Sequence, residues 1–164
     1  MQTLRHFHAW LAIVLSITLP TQVFAHGSSV GELRLEHPYA MPSAAEAPQW
    51  MVYFRGIKNE GHTSDRLLKA STPVAAEVIF QHVMPAKSML KTEVLGAIDL
   101  PANLSTPMRH NLGEYRLLLK EMKQPIKDGD HFDLTLTFEH AGSETVKVYA
   151  QSAQTDAPAE HKLK

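Results

Sequence analysis

Residues 132–138, FDLTLTF, alternate large apolar and polar side chains with a period of two. A strand points successive side chains to opposite faces, so Phe132, Leu134, Leu136 and Phe138 share one face. That face has to be buried against a second layer, and the rest of the chain supplies one. Short β-rich runs recur at residues 31–36, 50–57, 65–70, 74–83, 89–98, 104–108, 115–119 and 145–149. Turn signals separate them: Asn59 to Gly61, Ser71 to Pro73, Asp99 to Pro101, Asn111 to Gly113, Lys127 to Asp130 and Ala141 to Ser143. No segment holds a helical periodicity over about ten residues. Seven to nine short strands with regular turns predict one all-β domain, a sandwich or barrel. Its core is expected to include Val52, Phe54, Leu134, Leu136 and Phe138.

The chain opens with a different kind of segment. Arg5 precedes an apolar run from Ala9 to Leu19, Pro20 breaks it, and Val23-Phe24-Ala25 places small residues before a cleavage point. That order is a secretory signal peptide over residues 1–25, and the run falls short of the about 20 residues a membrane span needs. The expected division is a signal peptide at 1–25, a folded domain at 26–150 and a disordered polar tail at 151–164. No stable membrane insertion is expected after cleavage.

Across 164 residues there are 16 Lys and Arg against 17 Asp and Glu, which argues against a nucleic-acid binder. There is no cysteine, so thiolate metal sites and cysteine nucleophiles are excluded. Seven Met and 10 His remain as the ligands for a soft or borderline metal. No Gly-rich phosphate loop, nucleophile elbow or HExxH occurs, so nothing points to an enzyme. Asp128 and Asp130 flank Gly129 as a carboxylate pair or, more simply, as a solvated turn.

Three stretches together resemble the periplasmic PCu(A)C copper chaperones. They are YFRGIKNEGHTSDRLLKASTPVAAEVIFQHVM from Tyr53 to Met84, KQPIKDGD from Lys123 to Asp130, and FDLTLTFEHAGSETVKVY from Phe132 to Tyr149. The resemblance runs from about Val30 to Ala150. It implies a cupredoxin-like Greek-key β-sandwich. It also implies delivery of Cu(I) in the periplasm to a copper-accepting protein, such as a respiratory oxidase subunit or another copper chaperone. The family motif is a His, a later Met, and a distal His-x-Met pair. In this reading His82 matches the first His, Met84 the Met that often follows it, and Met89 lies near the second ligand position. The distal pair is replaced by Arg116 and Leu118. A guanidinium stays protonated and has no lone pair for a metal, and leucine has no sulfur.

The residues themselves offer two candidate half-sites for Cu(I). His82-Val83-Met84 in a strand would put imidazole and thioether on one face. Met108-Arg109-His110 has the same spacing reversed, and is either a second pair near Arg116 or a core Met followed by a solvated His. The expected metal residues are therefore His82, Met84, Met89 and His110. His26 would become N-terminal after cleavage, and is either a chelating terminus or a remnant of processing. His37, His62, His131, His140 and His161 read as surface groups.

Overall fold

The computed structural model describes residues 27–43, 49–86, 89–111 and 115–152. The expected signal segment, and all but the first two residues of the expected tail, lie outside them. The described residues form twelve strands: β1 Gly27–Val30, β2 Leu33–Glu36, β3 Tyr39–Pro42, β4 Trp50–Asn59, β5 Asp65–Ser71, β6 Ala75–Ala86, β7 Met89–Leu95, β8 Ile98–Leu100, β9 Ser105–Met108, β10 Tyr115–Met122, β11 His131–Phe138 and β12 Ser143–Ala150. No helix occurs among them. The main path runs β7-β6-β10-β4-β3-β12-β11-β5-β8, so spatial neighbours depart from chain order, as Greek-key connections require. All pairings are antiparallel except β12 with β3, where Tyr149 lies beside Tyr39.

The strict alternation of β11 behaves as its sequence demands. Phe132, Leu134, Leu136 and Phe138 are all buried, and they meet Val146, Val148 and Ala150 of β12 and Val52, Phe54 and Ile57 of β4. Leu136→Ala should therefore lower unfolding stability by about 3 kcal/mol, the usual cost of an emptied leucine site. Denaturant titration measures it, and an unchanged midpoint would remove Leu136 from the load carried by this core.

Two elements differ from the sequence expectation. The run at 31–36 is the second half of a hairpin, because Gly31 adopts φ +54° and turns the chain so that Val30 faces Leu33. β3 was not expected at all. It is four residues long and ends in a proline, so it carries too little pattern to read alone.

β4 holds the layers together by changing neighbours along its length. Residues Trp50 to Val52 pair with β10, and Trp50 to Tyr53 with β3. Residues Gly56 to Asn59 pair with β2, and beyond an irregularity after Phe54, Ile57 and Lys58 pair with β9. At its far end Asn59 is 2 % exposed. Its amide donates to the carbonyls of Thr63 (2.9 Å) and Leu100 (3.0 Å), and its Oδ1 accepts from Gly61 N–H (2.9 Å). The side chain thus replaces backbone partners in the turn, which is why an asparagine stands there.

Candidate functional site

β10 lies between β6 and β4, and the pleat gives this layer two different faces. Leu117 and Leu119 point into the main core with Phe80 and Val52. Leu118 points the other way and packs with Tyr39, Met51 and Tyr53, flanked by Met41 and Ile79. This explains why three successive leucines are all buried in one strand: each face has its own cover.

The outer face is organised in two rows. The register sets Tyr39 beside Tyr53 and Arg116 beside Gln81; one pleat further on it sets Met41 beside Met51 and Leu118 beside Ile79. In the first row Arg116 donates from Nε to Gln81 Oε1 at 2.8 Å. The Tyr53 hydroxyl donates to Met51 Sδ at 3.4 Å, and its ring stacks on Tyr39 with centroids 5.6 Å apart. Burial raises the Tyr53 phenol above its usual range, opposed by the charge and hydrogen bond of Arg116. Tyr39 is raised by burial too, against the His110 backbone N–H and the charge of Arg109.

His110 belongs to this face. Its backbone N–H donates to the Tyr39 hydroxyl at 3.2 Å, and its Nδ1 lies 2.9 Å from the same oxygen. Either the hydroxyl or an Nδ1–H is the donor in the second contact, according to the tautomer of the ring. Met108, two residues earlier, is fully buried in the main core and pairs with Phe54. The Met108–His110 pair anticipated from spacing is therefore split: β9 ends at Met108, and the chain carries His110 to the Tyr39 side.

His82 and Met84 lie on the opposite face of β6. They share the parity of Phe80, which points inward, and both are half-buried near the end of the strand. The His82 ring stacks on Tyr115, centroids 4.8 Å apart and 20° from parallel. The register sets Glu93 opposite His82 and Lys91 opposite Met84, and pairs Met89 with Ala86. His82 and Met84 are thus brought together, Met89 begins the adjoining strand, and His110 is separated from them by the sheet. Among the described residues no three His, Asp or Glu side chains converge as a metal group would.

The sequence reading missed Gln81. Matching His82 to the family's first His grouped it with positions 116 and 118; the antiparallel register sets His82 opposite Tyr115 and Gln81 opposite Arg116. The only signal was parity across two strands, which requires knowing how β6 and β10 pair. Tyr39, Met41, Met51 and Tyr53 were missed as a site because they read as core or loop.

The architecture is that of a PCuAC domain. The copper-bound PCuAC domain from PmoF2 superposes with TM-score 0.65 at 23% identity, covering 78% of this chain and 99% of that one. The apo PCuAC domain from PmoF1 gives 0.64 at 21%, covering 77% and 99%. The solution structure of Cu(I)-bound DR1885 from Deinococcus radiodurans gives 0.56 at 17%, covering 71% and 78%. No curated protein sequence matches the chain. Residues 33–150 match the family profile of LpqE-like lipoproteins, and the chain belongs to that LpqE-like family. The resemblance of the sequence to PCu(A)C domains thus holds in the fold.

Proposed function

We propose that this chain is an exported Cu(I)-binding protein that passes copper to a copper-accepting protein, such as a respiratory oxidase subunit or another copper chaperone. The observation that carries this reading is the placement of the His82 imidazole and the Met84 thioether on one face of β6, two residues apart. These are the ligand types that Cu(I) prefers where no thiolate exists. Met89 is the third ligand in this proposal. The likeness to a copper-bound PCuAC domain supports it. Residues 1–25 act as the cleaved export signal, residues 26–150 as the domain, and 151–164 as a tail. The role is binding and transfer in the periplasm, with no catalysis.

With two or three soft ligands instead of four, binding is weaker than in a complete site. Competition for Cu(I) against a chromophoric chelator should give one bound ion per chain. His82→Ala should weaken it by about tenfold or more, equivalent to about 1.4 kcal/mol. Unchanged affinity in that variant would remove the half-site.

A second reading has its own observation. Arg116 and Gln81 are hydrogen-bonded to each other, and these two and Leu118 are not soft ligands, although Met41 and Met51 share their face. On this reading the fold serves as an interaction module without metal. A protein that takes up no Cu(I) under the same competition would establish it.

A further inference from the structure

The two ends of the main sheet path are unlike each other. At one end β8 is three residues long, and its Asp99 is tied to Arg66 of the neighbouring β5 at 3.3 Å. At the other end β7 runs for seven residues, Met89–Leu95, and contains no proline. Among the described residues β7 pairs with β6 alone, so its second edge is a line of backbone N–H and C=O groups with no strand against it. Lys91, Thr92, Glu93 and Val94 are exposed, and at 67 % Val94 is the most exposed large apolar side chain among the described residues. A lone lysine on such an edge would repel a second copy of the strand, but Glu93 stands two residues away on the same face. The sequence of β7, MLKTEVL, is in fact complementary to itself when reversed. An antiparallel copy centred on Thr92 sets Lys91 against Glu93 twice and Thr92 against Thr92. It also sets residue 90 against Val94 and residue 89 against Leu95, which are all apolar residue types. Opposite charges, threonine pairs and apolar pairs are each favourable across an antiparallel ladder. The neighbouring registers with the same faces are centred on residue 91 or residue 93, and they set lysine against lysine or glutamate against glutamate. No ion pair between described residues engages Lys91 or Glu93.

We propose that two copies of this chain associate through β7, edge to edge and antiparallel about Thr92, joining their sheets into one. The same surface serves both copies, as a closed two-fold dimer requires. Charge complementarity fixes the register, and the backbone ladder supplies the contact. The ladder is short, so the dimer is weak and concentration-dependent. The inference goes beyond the copper reading and needs neither His82 nor Met84 as a ligand.

The test is sedimentation equilibrium of the full chain and of two charge variants. The wild-type chain should show a reversible monomer–dimer equilibrium. Lys91→Glu and Glu93→Lys should each weaken self-association about tenfold or more, because each turns two attractive pairs repulsive. An equimolar mixture of the two variants should associate again, since each copy then meets the opposite charge at both positions. A variant that had merely lost its fold could not show that rescue. The chain has no cysteine, so Thr92→Cys adds a single thiol on the two-fold axis. Mild oxidation should link it into a covalent dimer, while Lys147→Cys on β12 should link far less under the same conditions. A wild-type chain that stays monomeric at about 1 mM overturns the proposal. So does self-association that both single variants keep undiminished, the result expected if residues 9–19 or another surface hold the copies together. A mixture of the two variants that fails to associate, or equal oxidation of the two cysteine variants, overturns it as well.

Discussion

Replacing Gln81 and Arg116 by His and Leu118 by Met should build a separate Cu(I) site on the outer face, about three decades tighter than the same face would offer with the guanidinium left in place. The register carries the argument. Gln81 and Arg116 are direct cross-strand partners, already in hydrogen-bond contact at 2.8 Å. Directly opposed residues hold their Cβ atoms about 4.5–5.5 Å apart, close enough for two imidazoles to share one ion. Position 118 is one pleat further along the same face, against Met51. Removing the guanidinium matters as much as adding ligands. A unit charge about 4 Å from the ion costs about 4 kcal/mol at an effective dielectric of 20. The informative control is Arg116→His/Leu118→Met with Gln81 kept. If position 81 completes the site, the triple variant binds much more tightly than the double. If the two bind alike and His82→Ala abolishes both, His82 reaches across the sheet edge and the two-face description fails. Chelator competition on the three proteins decides.

The sequence conveyed the architecture because β-sandwich signals are local. FDLTLTF needs only its own alternation to place four residues in the core, and all four are there. The Asn59 turn and Asp65, the first residue of the DRL triplet, are also local devices, each satisfying nearby backbone groups. The candidate site was less legible, because it depends on pairing between strands distant in sequence. Gln81 and His82 are adjacent, and a shift of one residue exchanges the two faces of a strand. Nothing within residues 75–86 says which of the two faces Arg116. Met108 and His110 are a similar case: equal spacing suggested one face, but β9 ends between them. Tyr39 and Met41 were hidden because β3 is short and its cover comes from β4, which the sequence could place only in the main core.

Asp65→Ala should lower unfolding stability by about 3 kcal/mol or more, from three backbone donors left without an acceptor at about 1–3 kcal/mol each. Asp65 opens β5, is 5 % exposed, and holds the β11–β12 turn with both oxygens. Oδ1 accepts from the N–H groups of Arg66 (2.7 Å) and His140 (3.0 Å), and Oδ2 from that of Ala141 (2.9 Å). Burial by itself would raise this carboxyl, and is the largest single influence on it. The three N–H donors, with the charge of His140, together outweigh burial and leave the carboxyl below its usual range. The sign of the pH effect follows. A group whose pKa is lower in the folded state stabilises the fold above its unfolded pKa, about 3.9 for Asp, and loses that contribution as pH falls through the folded value. The wild-type protein should therefore lose stability more steeply than Asp65→Asn as pH drops from about 5 to about 2, although it is the more stable of the two at neutral pH. Thermal unfolding across that range measures both slopes. Parallel curves would mean that the carboxylate's charge contributes nothing, and that the turn is held by shape and neutral hydrogen bonds alone.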